Sequence, residues 1–157
     1  MIRSKSIGKR GFSLLEVVIV VAIIAILAAI GIPRMSRGSK GANDSAVSGD
    51  LAVLRNAIDL YSAEHGGTFP TTAGIVDQLT KYTDISGGVS AAKTTTHIYG
   101  PYVRSIPVLP VGSRKGSSGI ATSDSNSVGW IYVEASGKIN ANTGTSTDDN
   151  GTLYTAY

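Results

Sequence analysis

Residues Phe12 to Ile32 read FSLLEVVIVVAIIAILAAIGI, a 21-residue apolar run with one charge, Glu16, and Lys9-Arg10-Gly11 directly before it. As a helix rising about 1.5 Å per residue the run is roughly 31 Å long, enough to cross a hydrocarbon core. A secretory signal has a shorter apolar core, about 7–15 residues, ending in small residues at a cut. Here Ala29-Ile30-Gly31 leads straight into Ile32-Pro33, and Glu16 lies inside the run. The spacing therefore predicts a retained membrane anchor followed by one small polar head.

Charge divides along the same line. Arg3, Lys5, Lys9 and Arg10 are four of the fourteen basic residues, so the chain after Gly11 carries ten basic against eleven acidic. A nucleic-acid partner needs a basic working domain, and none is expected for this head. The four leading positives favour a cytoplasmic N-terminus and outnumber Arg34, Arg37 and Lys40 on the other flank by one. The chain has no cysteine, which removes thiol nucleophiles, disulfides and zinc–thiolate sites, and a head of this size can bury a core without them.

Glu16 has two readings on the residues alone. Ser13-Leu14-Leu15-Glu16 fits the S-x-x-E capping box, in which the acid closes on the N-cap backbone at the positive helix end. Alternatively, the carboxylate awaits a cation from another molecule. One turn from the helix start, its cost in lipid is below the roughly 2.5–3.5 kcal/mol of the bilayer centre, so both readings stand.

Lys9-Arg10-Gly11-Phe12-Ser13-Leu14-Leu15-Glu16 with its apolar run resembles the N-terminal signal of type IV pilins and type II secretion major pseudopilins. The resemblance implies a leader at 1–11 and a transmembrane and polymerisation helix at 12–33. It implies a periplasmic pilin-like head at 34–157. A prepilin peptidase would cut between Gly11 and Phe12 and N-methylate Phe12, and Glu16 would pair with the new Phe12 amine of a neighbouring subunit. Pro33 falls where the family carries a helix-bending proline. The implied partners are further copies in a filament, membrane lipid before assembly, and an inner-membrane platform driven by a cytoplasmic ATPase motor. The implied location is the bacterial inner membrane, single-pass, and afterwards a periplasmic pseudopilus or cell-surface pilus. The alternative is a minor pilin or membrane-tethered binding module that does not form the shaft.

In the head, Val47, Leu51, Leu54, Ile58 and Tyr61 recur at spacings of four and three, one buried helical stripe; Asp50, Arg55, Asp59 and Glu64 take the other side. Arg34 to Ser45, with Gly38 and Gly41, reads as a weak or bent stretch of that helix. His65-Gly66-Gly67 ends it. Thr68-Phe69-Pro70-Thr71-Thr72 resembles a major-pseudopilin segment, and Ile75 to Tyr82 reads as a short helix. Asp84 to Thr96 reads as loop and Tyr99 to Pro110 as a proline-punctuated extended connector. Gly112 to Ser127 reads as mobile. Val128 to Val133 and Lys138 to Ala141 read as a hairpin, and Leu153 to Tyr157 as a closing edge strand or a tail. The expected fold is α+β: a long helix, membrane-spanning then amphipathic, packed on a small antiparallel sheet.

No catalytic constellation emerges, so the chain reads as a non-enzyme without cofactor. His65 and His97 belong to no metal-binding pair and read as solvated or turn-stabilising. No G-x-S-x-G elbow is present, and Gly112 to Ser118 misses the phosphate-loop spacing. Some major pseudopilins bind calcium near the C-terminus. Asp124-Ser125-Asn126 and Asp148-Asp149-Asn150-Gly151 offer oxygens, but a calcium-binding loop would need an acid where Ala135 stands. Both read as acidic solvated turns, and no metal is expected.

Overall fold

The computed structural model describes residues 11–148 and 150–157, with the backbone alone for 31–37. The chain divides into two compact units, Met1–Gly38 and Ser39–Tyr157. Helix α1, Leu14–Glu64, contributes to each. The leader residues before Gly11, with their four charges, lie outside the described residues, as do Asp149 and the Arg34 and Arg37 side chains.

In the first unit α1 begins at Leu14, so Phe12 and Ser13 precede the helix. The described apolar helical side chains then run from Leu14 to Ile30, and their Leu, Val and Ile members are exposed. Among the described residues no helix is long and apolar enough to cross a membrane. The expected membrane-spanning first half is corrected to that extent. Pro33 falls within the continuous helix, not at its end.

In the second unit the predicted stripe is the core. Val47, Leu51, Leu54, Ile58 and Tyr61 are all buried. The backbone of 34–45 is helical throughout. Gly66 at φ 65° then turns the chain left-handed, which lets the Gly67 N–H return to Ser62 O at 2.8 Å and satisfies a terminal carbonyl.

Helix α2, Ile75–Thr80, buries Ile75 and Leu79, while Tyr82 starts a strand. Strands β1 (Tyr82–Thr83) and β2 (Val89–Ser90) pair antiparallel. Strands β3 (Gly119–Ala121), β4 (Val128–Val133) and β5 (Lys138–Ala141) form the main sheet. The β4–β5 hairpin is as expected, Trp130 opposite Ala141 and Val133 opposite Lys138. β3, however, runs parallel to β4, so the sheet is mixed and not purely antiparallel. The six residues 122–127 make this possible: β3 covers only about 10 Å, and six extended residues reach about 20 Å. Gly129 is required here, because a Cβ on it would lie 2.2 Å from Ser117 O.

The sheet packs its buried side chains with the α1 stripe in one core, joined by Leu109, Ile106 and Val111 of the extended connector. Trp130 donates its Nε1–H to Pro107 O at 2.9 Å, and the Tyr132 hydroxyl donates to Pro70 O at 2.9 Å. Two buried aromatic donors thus help to fix both proline-bearing passages, the second of which also bridges Thr83 through Tyr99. Leu153 makes one bridge with Thr147, and a 3-10 turn over Tyr154–Ala156 buries Tyr154. The C-terminal segment is therefore docked, as a turn and not a strand.

Candidate processing and assembly site

The N-terminal site is built by the cap of α1. Gly11, Phe12 and Ser13 are non-helical and exposed, with Phe12 89% accessible. Ser13 is the N-cap: its Oγ accepts the Leu15 N–H at 3.3 Å. Three residues on, Glu16 Oε2 accepts the Ser13 N–H at 2.8 Å. The Glu16 half of the capping box is formed while the Ser13 hydroxyl caps the N2 N–H, so within one chain Glu16 acts as a cap.

That bond does not exhaust the carboxylate. An ionised carboxylate has about four acceptor sites, and the Ser13 N–H takes one. Glu16 also lies next to the positive end of the helix dipole and among exposed apolar neighbours. The cap therefore fixes the side chain's direction while leaving it able to accept from a cation. A cut after Gly11 would create that cation, a free α-ammonium on Phe12, four residues away along the chain.

The other candidate groups do not assemble into chemistry. His65 is buried rather than solvated. It stacks on Tyr61 with ring centroids 3.8 Å apart, and its ring nitrogens lie 2.8 Å from Tyr61 O and 2.9 Å from Asp84 O. It joins the end of α1 to the β1–β2 loop, the turn-stabilising role. His97 is half-buried, with Nδ1 3.0 Å from Thr94 Oγ1.

Asp124 is exposed, as expected of an acidic solvated turn, but its carboxylate is ion-paired. Arg114 donates Nε–H and an Nη–H to its two oxygens at 2.7 and 2.8 Å, and Asn142 Nδ2–H adds a third bond at 2.8 Å. The guanidinium holds the Asp124 carboxyl down at about 2. The other Nη of Arg114 donates to Asn126 Oδ1 at 2.8 Å. A fixed cation thus occupies the donor set that suggested calcium. Asp148 accepts from the Tyr157 hydroxyl and from the backbone N–H groups of Asn150 and Thr152. Among the described residues no group of three or more His, Cys, Asp or Glu could hold a metal ion.

Sequence reading missed two clamps on α1. The Tyr102 hydroxyl donates to Glu64 Oε2 at 2.6 Å, and the Tyr154 hydroxyl donates to Asp44 Oδ1. Each fastens a distant loop to one end of the helix within the head. The only signal for them is the seven tyrosines of so small a chain.

Basic residues, a glycine, an exposed aromatic residue and a carboxylate in the first turn of an apolar helical stretch follow one another at the N-terminus. Residues 8–32 match the prokaryotic N-terminal methylation motif, the signal of type IV pilins and pseudopilins. The motif implies processing by a prepilin peptidase. No curated protein and no solved structure matches the chain.

Proposed function

We propose that this chain is a structural subunit of a type IV pilus or type II secretion pseudopilus filament, with no enzymatic role. A prepilin peptidase cuts between Gly11 and Phe12 and methylates the Phe12 amine. Before assembly segment 12–33 is held in the bacterial inner membrane, with the 34–157 head in the periplasm. Assembly stacks the apolar helices in a common core, driven by an inner-membrane platform and its cytoplasmic ATPase.

The observation that carries this reading is the lone carboxylate at the start of an otherwise apolar, exposed helix. Moving such a helix from lipid into a fibre exchanges one dry environment for another, so apolar burial alone discriminates poorly. An ion pair does discriminate, because a buried carboxylate or ammonium left single is penalised heavily. Glu16 of one subunit with the Phe12 amine of the next supplies such a pair, and it exists only after the cut.

Sequencing the N-terminus of the mature protein tests the reading. N-methyl-phenylalanine at Phe12 is expected. A mature protein that begins at Met1, or at a residue beyond Ile30, contradicts it. Carbonate extraction of membranes from cells lacking the assembly motor checks the stored state: the protein stays in the pellet.

A further inference from the structure

Asparagine occurs six times in the chain, and five of the six are held in place. Asn43 and Asn56 lie within helix α1 and Asn140 in β5. Asn142 is buried and donates through Nδ2 to Asp124 and to Val128 O. Asn126 is exposed, but its Oδ1 accepts from Arg114 at 2.8 Å. Asn150 differs. It is exposed in a turn, its backbone N–H is bonded to Asp148 Oδ1 at 2.8 Å, and among the described residues its side-chain amide makes no hydrogen bond. The next residue is Gly151, at φ 82°, with no atom within 4 Å of where a Cβ would stand.

That pair sets up a reaction internal to the chain. The backbone nitrogen that follows an asparagine can attack the side-chain carbonyl carbon and close a five-membered ring. The attack is least hindered where that nitrogen belongs to a residue without a Cβ. Gly151 N–H donates to Asp148 O at 3.2 Å, the long end of the range for such bonds, so the nitrogen is weakly engaged. Ring closure forms the bond from Gly151 N to Asn150 Cγ and breaks Cγ–Nδ2. The amide leaves as ammonia, taking the proton of the Gly151 N–H. Water then opens the cyclic imide at one of its two carbonyls. Opening at Cγ leaves aspartate on the original main chain, and opening at the backbone carbonyl leaves isoaspartate, with the main chain rerouted through the side chain.

We propose that Asn150 is a site of spontaneous deamidation, and that its isoaspartyl product loosens the C-terminal turn of the head. The surrounding bonds give the reason. Asp148 Oδ1 accepts from both Asn150 N–H and Thr152 N–H, at 2.8 and 2.7 Å, and Thr152 O accepts the Asp148 N–H at 2.9 Å. A carboxylate that gathers nearby backbone donors in this way closes a loop of fixed length. The isoaspartyl linkage adds one main-chain atom between those two donors, which moves Thr152 off the carboxylate. Asp148 Oδ2 also accepts from the Tyr157 hydroxyl, and Thr147 bridges Leu153. The lengthened loop therefore strains both anchors of the Tyr154–Ala156 turn. The reaction takes water as its co-reactant and is independent of the filament reading.

Full-length protein in detergent is incubated in mildly alkaline buffer, and its peptides are compared by mass spectrometry with those of the fresh protein. Conversion of Asn150 at least about tenfold ahead of every other asparagine is expected. Isoaspartate, detected by enzymatic methylation of its free carboxylate, is expected in the same peptide. An intact Asn150, or conversion no faster than at the exposed Asn126, overturns the site. Asn150→Gln would need a six-membered ring, which closes far more slowly, so the label disappears; a label that persists there also overturns it. Hydrogen exchange at the Tyr154 and Tyr157 amides reads the consequence. It is expected to quicken on incubation of the unmodified chain and to stay unchanged in Asn150→Gln. Asn150→Asp adds the charge without lengthening the chain and is expected to exchange like the fresh protein. Exchange in Asn150→Asp as fast as in the incubated chain contradicts the isoaspartyl account, and so does unchanged exchange after conversion.

Discussion

Leu54 and Trp130 show how single side chains hold the head. Leu54 is fully buried in the α1 stripe, so Leu54→Ala loses transfer energy and leaves a cavity, about 2–5 kcal/mol, read as a fall in the thermal midpoint of the full-length protein in detergent. Trp130→Phe keeps most of the ring but leaves Pro107 O without its donor, a smaller loss of about 1–3 kcal/mol in the same measurement. Arg114 acts on charge rather than volume. In Arg114→Ala the Asp124 carboxyl loses the partner that holds it at about 2, and its titration by carboxyl NMR moves up toward 3.8. An unmoved titration would mean that Asn142 alone sets it.

At the scale of elements, glycine separates two kinds of position. Gly129→Ala drives a Cβ against the Ser117 backbone and is expected to disrupt the β3–β4 pairing, lowering the thermal midpoint. Gly49→Ala meets open space in a helix and stabilises the unassembled protein by about 0.5–1 kcal/mol. The contrast mirrors what was legible beforehand. The amphipathic half of α1, its glycine stop, α2 and the β4–β5 hairpin all follow from local period and turn chemistry, which short windows of sequence display. β3 did not, because three residues, one of them a glycine, make no periodic signal and their parallel pairing depends on a partner beyond the next loop. The C-terminal turn escaped for a related reason: Tyr154 is placed by Asp44, 110 positions away in sequence. His65 was within reach, since Tyr61 lies at the i−4 position where helical side chains stack. Glu16 was legible as a cap, and it makes the bond to the Ser13 N–H that the spacing requires.

For the whole molecule, the ionisable groups define the pH range of the head. Backbone and side-chain donors lower Asp84, Glu134 and Asp148, and Arg114 lowers Asp124. Groups lowered on folding contribute stability above their unfolded values, so that contribution is lost as pH falls from about 4 toward 2. Burial first, then Glu64 and Asp44, raises Tyr102 and Tyr154, and the bond to Asp148 raises Tyr157 to about 12. Their contribution is complete below pH 10 and is lost as pH rises above it, because the unfolded chain then gives up protons that the folded head retains. Thermal midpoints across pH 2–12 should therefore fall at both ends, with a plateau between.

The proposed function depends on the other unit, where one acid stands in an apolar helical stretch. The measurement that tests this most directly is the amount of filament sheared from cells producing Glu16→Gln beside the unmodified chain, with membrane-bound protein quantified in both. Equal protein in the membrane and filament reduced at least tenfold are expected for the variant. Filament in normal amounts from Glu16→Gln would contradict it, leaving the carboxylate as the helix cap and nothing more.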